Sequence, residues 1–275
     1  MDVSNDELLA KIHKVSLYIL LAFDKVCREN DLTYFLDSGT ALGAVRHGGF
    51  IPWDDDVDVG MPRKDYERFL QIGQENLPED LFLQTRDTDP AYKRHAAKLR
   101  LKGTVFQEYE GSTYEQNGFF IDIFPFDNIP KNECLAKLDI TISRLLYRII
   151  CIWRSPEKSP KRYRRWIAYF VKKLPASMIR WLENIYICFC RKLEKRNTGH
   201  ITCYFWLMTQ QKSYIFDVEK MFPVEEIMFE GQGLKIMRDP DYYLTTMYGD
   251  YRIPPPKKMR FGHHMKGKID FGKYA

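Results

Sequence analysis

The chain has 275 residues, 45% of them apolar, and a formal net charge of +5. That length and apolar fraction suit one large domain or a domain with a sizeable insertion. Ordinary glycine and proline contents exclude a fibrous or disordered class, and six irregularly spaced cysteines argue against a secreted disulfide framework.

The N-terminus is acidic and polar, so no secretory signal peptide is expected there. The longest apolar run near it, Val15 to Phe23, is too short to span a bilayer. The expected setting is cytoplasmic and reducing. Charge is uneven along the chain: Arg144 to Arg196 holds 15 Lys/Arg against 3 Asp/Glu, which leaves an acidic body around a basic insert.

Residues 6–30 predict an amphipathic helix, with Leu8, Leu9, Ile12, Val15, Ile19, Leu20, Phe23, Val26 and Cys27 at helical spacing and Ser4 or Asn5 as N-cap. Thr33 to Asp37 reads as a short buried strand. Ser38-Gly39-Thr40 reads as a turn, and Ala41 to His47 as a short helix stopped by Gly48-Gly49. A second strand is expected over Asp56 to Met61, and a helix from about Arg63 to Asn76. Further strands are expected over 81–85, 96–101, 104–107 and 119–124, with hairpin character at Lys102-Gly103. Residues 132–196 predict two or three helices, broken near 155–160 and at Pro175. Strands near 227–230 and 234–237, a helix over 240–248 and an irregular Pro254-Pro255-Pro256 complete the chain. The order predicts an α+β fold with a mixed sheet core and a helical insert. Its expected parts are a core over 1–131, a basic helical insert over 132–198, and a segment over 199–275 that completes the core.

The stretch FIPWDDDVDVG, residues 50–60, puts four carboxylates within five residues. In a strand, Asp56 and Asp58 share one face while Val57 and Val59 enter the core, with same-face Cα atoms ~6.6 Å apart. Carboxylates so placed converge on one divalent ion or on two. An all-oxygen set favours Mg²⁺ or Mn²⁺ over zinc. A solvated acidic turn has no use for the alternating valines, and EF-hand spacing is missing. In FFIDIF, residues 119–124, the lone Asp122 is expensive to bury without a cation or backbone N–H partners. A strand, the Gly-containing turn Ser38-Gly39-Thr40 and the helix start after it make a cradle of N–H groups for an anion.

In this order the elements resemble the nucleotidyltransferase fold, in which a glycine turn holds phosphates and three acids hold metal. More specifically, FLDSGTALGAVRHGGFIPWDDDVDVGMPRKDYERF (35–69), IDIFPFDNIP (121–130) and YLTTMYGDYRIPPP (243–256) resemble the LicD family, with the basic insert as the variable part. The resemblance implies a phosphotransferase. It would move a phosphorylated alcohol such as phosphocholine from a CDP-linked donor to a sugar hydroxyl. The acceptor would be a cell-surface glycan, such as lipopolysaccharide or teichoic acid, or its lipid-linked precursor. By analogy Asp56, Asp58 and Asp122 are catalytic and hold the metal, with Asp54 a further ligand. Arg46, His47, Lys98 and Arg100 join Ser38, Gly39 and Thr40 as phosphate-binding candidates. For the three cations Arg46, Lys98 and Arg100, surface salt bridges are the alternative.

Two other functions fit the same acids: a nucleotidyltransferase acting on a protein or small molecule, and a non-catalytic, metal-stabilised glycan-binding module. Cys188, Cys190 and Cys203 with His200 could be read as a zinc site, but the spacing does not match, and the three cysteines read as buried thiols. His263-His264 lies in a basic tail, read either as an active-site lid or as a solvated end. KRYRRWIAYFVKK, residues 161–173, interleaves basic and aromatic residues. It reads either as a peripheral contact with an anionic membrane or as a basic face with Trp166, Tyr169 and Phe170 packed inward. No nucleic-acid motif accompanies the charge, so nucleic-acid binding is not expected.

Overall fold

The computed structural model describes residues 5–89, 92, 96–108, 117–154, 162–196, 198–205, 214–262, 265 and 267–274; Ser4, His263 and His264 lie outside them. The chain divides into one unit formed by residues 1–125 and 219–275 and a second formed by residues 126–218.

In the first unit, α1 (Asn5–Glu29) buries Leu9, Ile12, Val15, Ile19, Leu20, Phe23, Val26 and Cys27, the stripe its periodicity predicts except for Leu8, which is half-buried near the helix start. Strand β1 (Phe35–Leu36) is only two residues long. It is cut short because Asp37 turns into the N-cap of α2 (Ser38–His47), its side chain accepting the Ser38 N–H. The expected Ser-Gly-Thr turn is therefore the first turn of a helix. Gly48, at φ 67°, ends α2 in the left-handed region that glycine adopts without strain.

Strand β2 (Asp58–Pro62) starts two residues later than the alternation suggested, yet the alternation holds. Val57 and Val59 are fully buried while Asp56 and Asp58 stay partly exposed. β2 pairs antiparallel with β1, setting Leu36 opposite Val59. Helix α3 (Arg63–Asn76) follows directly. Strands β3 (Leu81–Gln84), β4 (Ala97–Leu101) and β6 (Phe120–Asn128) complete the sheet in the order β1-β2-β6-β4-β3. The Val57 carbonyl accepts the Asp122 N–H at 2.8 Å, which ties the acidic segment to β6.

Lys102-Gly103 does form a turn, with Gly103 at φ 72°, but no hairpin follows. Both edges of β4 are already occupied by β3 and β6, so β5 (Val105–Phe106) pairs instead with β11 (Ile269–Asp270). The described part of the C-terminal tail is thereby tied to β5, although most of its residues remain exposed. Further along, β9 (Glu225–Phe229) and β10 (Gln232–Ile236) form a hairpin across Glu230-Gly231, both at positive φ. Helix α8 (Pro240–Tyr248) is capped by the Asp239 side chain on the Tyr242 N–H.

The second unit holds α4 (Glu133–Arg154), α5 (Arg162–Lys172) and α6 (Ala176–Arg191). Its core gathers Ile129, Ala136, Ile140, Tyr147, Ile150, Tyr186, Cys190 and Tyr204. Here β7 (His200–Thr202) pairs with the end of β6 and with β8 (Phe216–Asp217); α7 (Val218–Met221) follows β8. Cys190 and Cys203 are buried as expected, but Cys188 is exposed, because residues two apart on a helix face different ways. The architecture is α+β, with a sheet core and a helical insert. Among the described residues no helix is long and apolar enough to cross a membrane.

Candidate active site

Five aspartates converge in the first unit. Asp58 opens β2 with Asp56, Asp122, Asp37 and Asp54 around it. Burial, and then those four charges in that order, pushes its carboxyl well above the usual range. Asp54 is raised in the same way, by burial and then by Asp56 and Asp55. Oxygens of Asp54, Asp55 and Asp56 lie within 4.8 Å of one another. Asp55 has a second task, since its Oδ2 accepts the Met265 N–H at 2.8 Å and so seats the tail beside the acids.

The backbone scaffold of the cluster is specific. Thr40 Oγ1 accepts the Asp58 N–H at 2.8 Å, and the Asp37 N–H donates to the Asp58 carbonyl at 3.0 Å. His13 Nε2 donates to the Asp54 carbonyl at 2.7 Å while its ring stacks on Phe50. Gly39 faces Asp54: a Cβ there would come 2.7 Å from Asp54 Oδ2. Gly39→Ala is therefore expected to displace the Asp54 carboxylate and to weaken divalent-ion binding about tenfold, read by calorimetric titration. Unchanged affinity would mean that Asp54 contributes little to it.

Two buried carboxylate oxygens, Asp37 Oδ2 and Asp122 Oδ1, have no hydrogen-bond partner among the described residues. An orphaned buried acceptor is costly unless a cation or donor meets it. Together with Asp54, Asp56 and Asp58, Asp37 Oδ2 makes an all-oxygen set that fits Mg²⁺ or Mn²⁺.

Asp37 was legible only as a strand end, not as a member of the site. Its carboxyl is pushed up to about 7 by burial, against the opposing hydrogen bonds from Tyr243 and the Ser38 N–H. Tyr243 and Tyr248 both come from α8. The Tyr243 hydroxyl donates to Asp37 Oδ1. Tyr248 leaves part of its ring exposed, but its hydroxyl end is raised well above the usual phenol range by burial, then by Asp37, Asp58, Asp54 and Asp56.

A raised carboxyl pKa means the folded state binds its proton more tightly than the unfolded chain does. The stability Asp37 contributes is full below the unfolded value and is lost as pH rises through about 7. In EDTA the melting temperature is expected to fall between about pH 4 and 7, and to fall less in Asp37→Asn. Parallel pH profiles for the two proteins would remove that account.

The cationic candidates divide into two groups. Lys98 and Arg100, on β4, are not on the surface. Lys98 Nζ bridges Asp122 Oδ2 at 2.9 Å and Glu108 Oε1 at 3.0 Å, and lies 3.3 Å from the Phe120 ring centre. Arg100 donates to Gln84 Oε1, the Gly118 carbonyl and Glu108 Oε2. These two cations act on the site from inside, through Asp122 and Glu108. Arg46 and His47, on α2, are more open. Arg46 donates to the Tyr251 carbonyl at 2.8 Å. Burial, then the neighbouring Arg260, lowers its proton affinity. Burial and the Arg46 charge lower that of His47, whose ring meets Trp53 edge-on. Arg260 lies over the other participant in that contact, 4.9 Å from the Trp53 ring centre. Arg260 was not among the sequence candidates, since an isolated arginine in a basic tail carries no local signal.

Residues 31–144 match the family described as LicD/FKTN/FKRP, nucleotidyltransferase domain. This segment is a LicD-family domain. It contains all five converging aspartates, and its fold is nucleotidyltransferase-like. The lipopolysaccharide cholinephosphotransferase LicD of Haemophilus influenzae is 29% identical over 266 residues, covering 92% of this chain and 94% of that protein. The ribitol 5-phosphate transferase FKRP of Homo sapiens is 56% identical over 39 residues, 14% of this chain and 8% of FKRP. An uncharacterised protein of Rickettsia typhi is 46% identical over 59 residues, 21% of this chain and 19% of its own. The LicD-family domain ends well before Tyr243, Tyr248 and Arg260, so the C-terminal segment adds side chains of its own to the site.

Proposed function

We propose that this protein is a divalent-metal-dependent phosphotransferase that moves a phosphorylated alcohol from a CDP-linked donor to a glycan hydroxyl. The observation that carries this is the acidic cluster: Asp58 with Asp56, Asp122, Asp37 and Asp54 about it, and two buried carboxylate oxygens lacking partners among the described residues. The names of the Haemophilus and human relatives, a cholinephosphotransferase and a ribitol 5-phosphate transferase, support the class of group transferred. The Haemophilus name, with its lipopolysaccharide, supports a glycan acceptor, and the LicD resemblance supports the CDP donor.

Asp54, Asp56 and Asp58 would hold Mg²⁺ or Mn²⁺. When bound, the ion supplies Lewis-acid stabilisation of charge on phosphate oxygens and a template for donor and acceptor. The chain's own residues do the rest. Asp122 has Oδ2 engaged by Lys98, which leaves Oδ1 to accept the proton of the acceptor hydroxyl. Arg46 and Arg260 hold positive charge at the Trp53 end of the acidic segment, where phosphate oxygens gain charge-assisted hydrogen bonds. The acceptor oxygen bonds to the phosphorus that carries the alcohol, the bond from that phosphorus to the bridging oxygen breaks, and CMP leaves.

Incubation with a panel of CDP-alcohols, a glycan acceptor and Mg²⁺ or Mn²⁺ tests this by CMP release. One or more donors should release CMP only when acceptor and ion are both present. Pyrophosphate release from a nucleoside triphosphate, with no CMP from any donor, would replace the reading by nucleotidyl transfer. Ion and glycan binding without any turnover would replace it by a binding module.

A further inference from the structure

Helix α5 breaks the rule that an amphipathic helix hides its bulky apolar side chains. Trp166, Tyr169 and Phe170 are 59%, 54% and 60% exposed, and Ile167 is exposed as well. The alternative in which these rings pack inward does not hold. Trp166 and Phe170, one turn apart, stack on each other at 6.4 Å, and Lys173 Nζ lies 4.3 Å from the Tyr169 ring centre. The same unit exposes Trp181 and Met178 on α6 and Leu145 on α4. Scattered single apolar side chains need no explanation, but four on one 11-residue helix do.

The charge around them indicates what covers them. Residues 144–196 hold 15 Lys/Arg and 3 Asp/Glu, and Lys172, Lys173 and Arg180 are exposed. A protein partner would have to match dense positive charge and a ring-rich surface together. An anionic bilayer matches both: headgroups meet the cations while tryptophan, tyrosine and phenylalanine enter the headgroup–acyl boundary. Eleven residues of helix reach only about 16 Å, so α5 can lie on a membrane but not cross it.

We propose that α5 is an interfacial anchor that docks the protein on an anionic membrane surface through Trp166, Ile167, Tyr169 and Phe170, with Lys172 and Lys173 on the headgroups. This stands on α5 and its unit, and does not need the transferase reading. The full chain is to be co-sedimented with phosphatidylcholine vesicles and with 3:1 phosphatidylcholine/phosphatidylglycerol vesicles, in low salt and in 0.5 M NaCl. Binding is expected only with the anionic vesicles, and is expected to weaken in high salt. Trp166→Ser/Phe170→Ser should lower the partition coefficient at least about tenfold. Lys172→Glu/Lys173→Glu should do the same on anionic vesicles. All these side chains are exposed, so circular dichroism of both variants should match the parent.

Absence of the parent from the anionic vesicle pellet would overturn the proposal, as would equal binding by the aromatic variant. A parent dimer by light scattering that Trp166→Ser/Phe170→Ser converts to monomer, without vesicle binding, would assign the surface to a second copy. Tight RNA binding without vesicle binding would assign it to a polyanion.

Discussion

Asp58→Asn is expected to lower transfer by about 10³-fold or more, because losing a metal-holding carboxylate removes several kcal/mol of charge stabilisation at the reacting phosphate. The same substitution is expected not to destabilise the metal-free fold. Asp58 is only partly exposed, with Asp56, Asp122, Asp37 and Asp54 around it, and its carboxyl is raised because the charged form is disfavoured there. Asparagine keeps the shape and the backbone hydrogen bond from the Asp58 N–H to Thr40 while deleting one of the crowded charges. In EDTA the variant should therefore melt no lower than the parent, whereas Mg²⁺ or Mn²⁺ should stabilise the parent much more than the variant. This opposition separates an active-site acid from a structural one: a structural aspartate loses activity only by losing stability. Turnover by Asp58→Asn within tenfold of the parent would end the metal role assigned to it.

Lys98→Met is expected to have the largest effect on stability, a loss of about 3–5 kcal/mol, as when one partner of a buried ion pair is deleted. Lys98 is completely buried and holds Asp122 and Glu108 together. Glu108 retains Arg100 after the substitution, so the uncompensated charge falls mainly on Asp122. That placement makes a second expectation. In Lys98→Met/Asp122→Asn the stranded charge is gone, and most of the loss should be recovered, giving a favourable coupling of more than about 1 kcal/mol in a double-mutant cycle. Urea unfolding of the four proteins measures it. A Lys98→Met loss below 1 kcal/mol, or a double variant no better than the single, would show that Asp122 does not depend on Lys98. Activity should fall in Lys98→Met even where the protein remains folded, because Lys98 fixes which oxygen of Asp122 is left for the reaction.

Much of this protein is written locally. The buried stripe of α1, the 240–248 helix with its aspartate cap, and the alternation of valine and aspartate through residues 56–59 need no distant partner to be read. Errors arose where a distant partner decides the outcome. The turn at Lys102-Gly103 looked like a hairpin, but β4 had already been paired on both sides. Ser38-Gly39-Thr40 is the exception, because its helical state is set by the adjacent Asp37, whose side chain caps it. Lys98 and Arg100 carried only their charge in the sequence; whether they face solvent or the inside depends on Glu108, Gln84 and Asp122.

What the sequence determined by itself was chemistry and periodicity: oxygen ligands in a short segment, valines beneath them, a lone aspartate in an apolar strand, and a basic insert rich in rings. Only the tertiary structure decided which of these meet. The hydrogen bond from Asp122 to Val57 brings β6 against the acidic segment, α8 delivers Tyr243 and Tyr248 from some 200 residues away, and the rings of α5 are left outside. The reason is physical. Side-chain direction follows from backbone period and is local, whereas a carboxylate's charge state and a ring's burial depend on neighbours through space, which chain order does not specify.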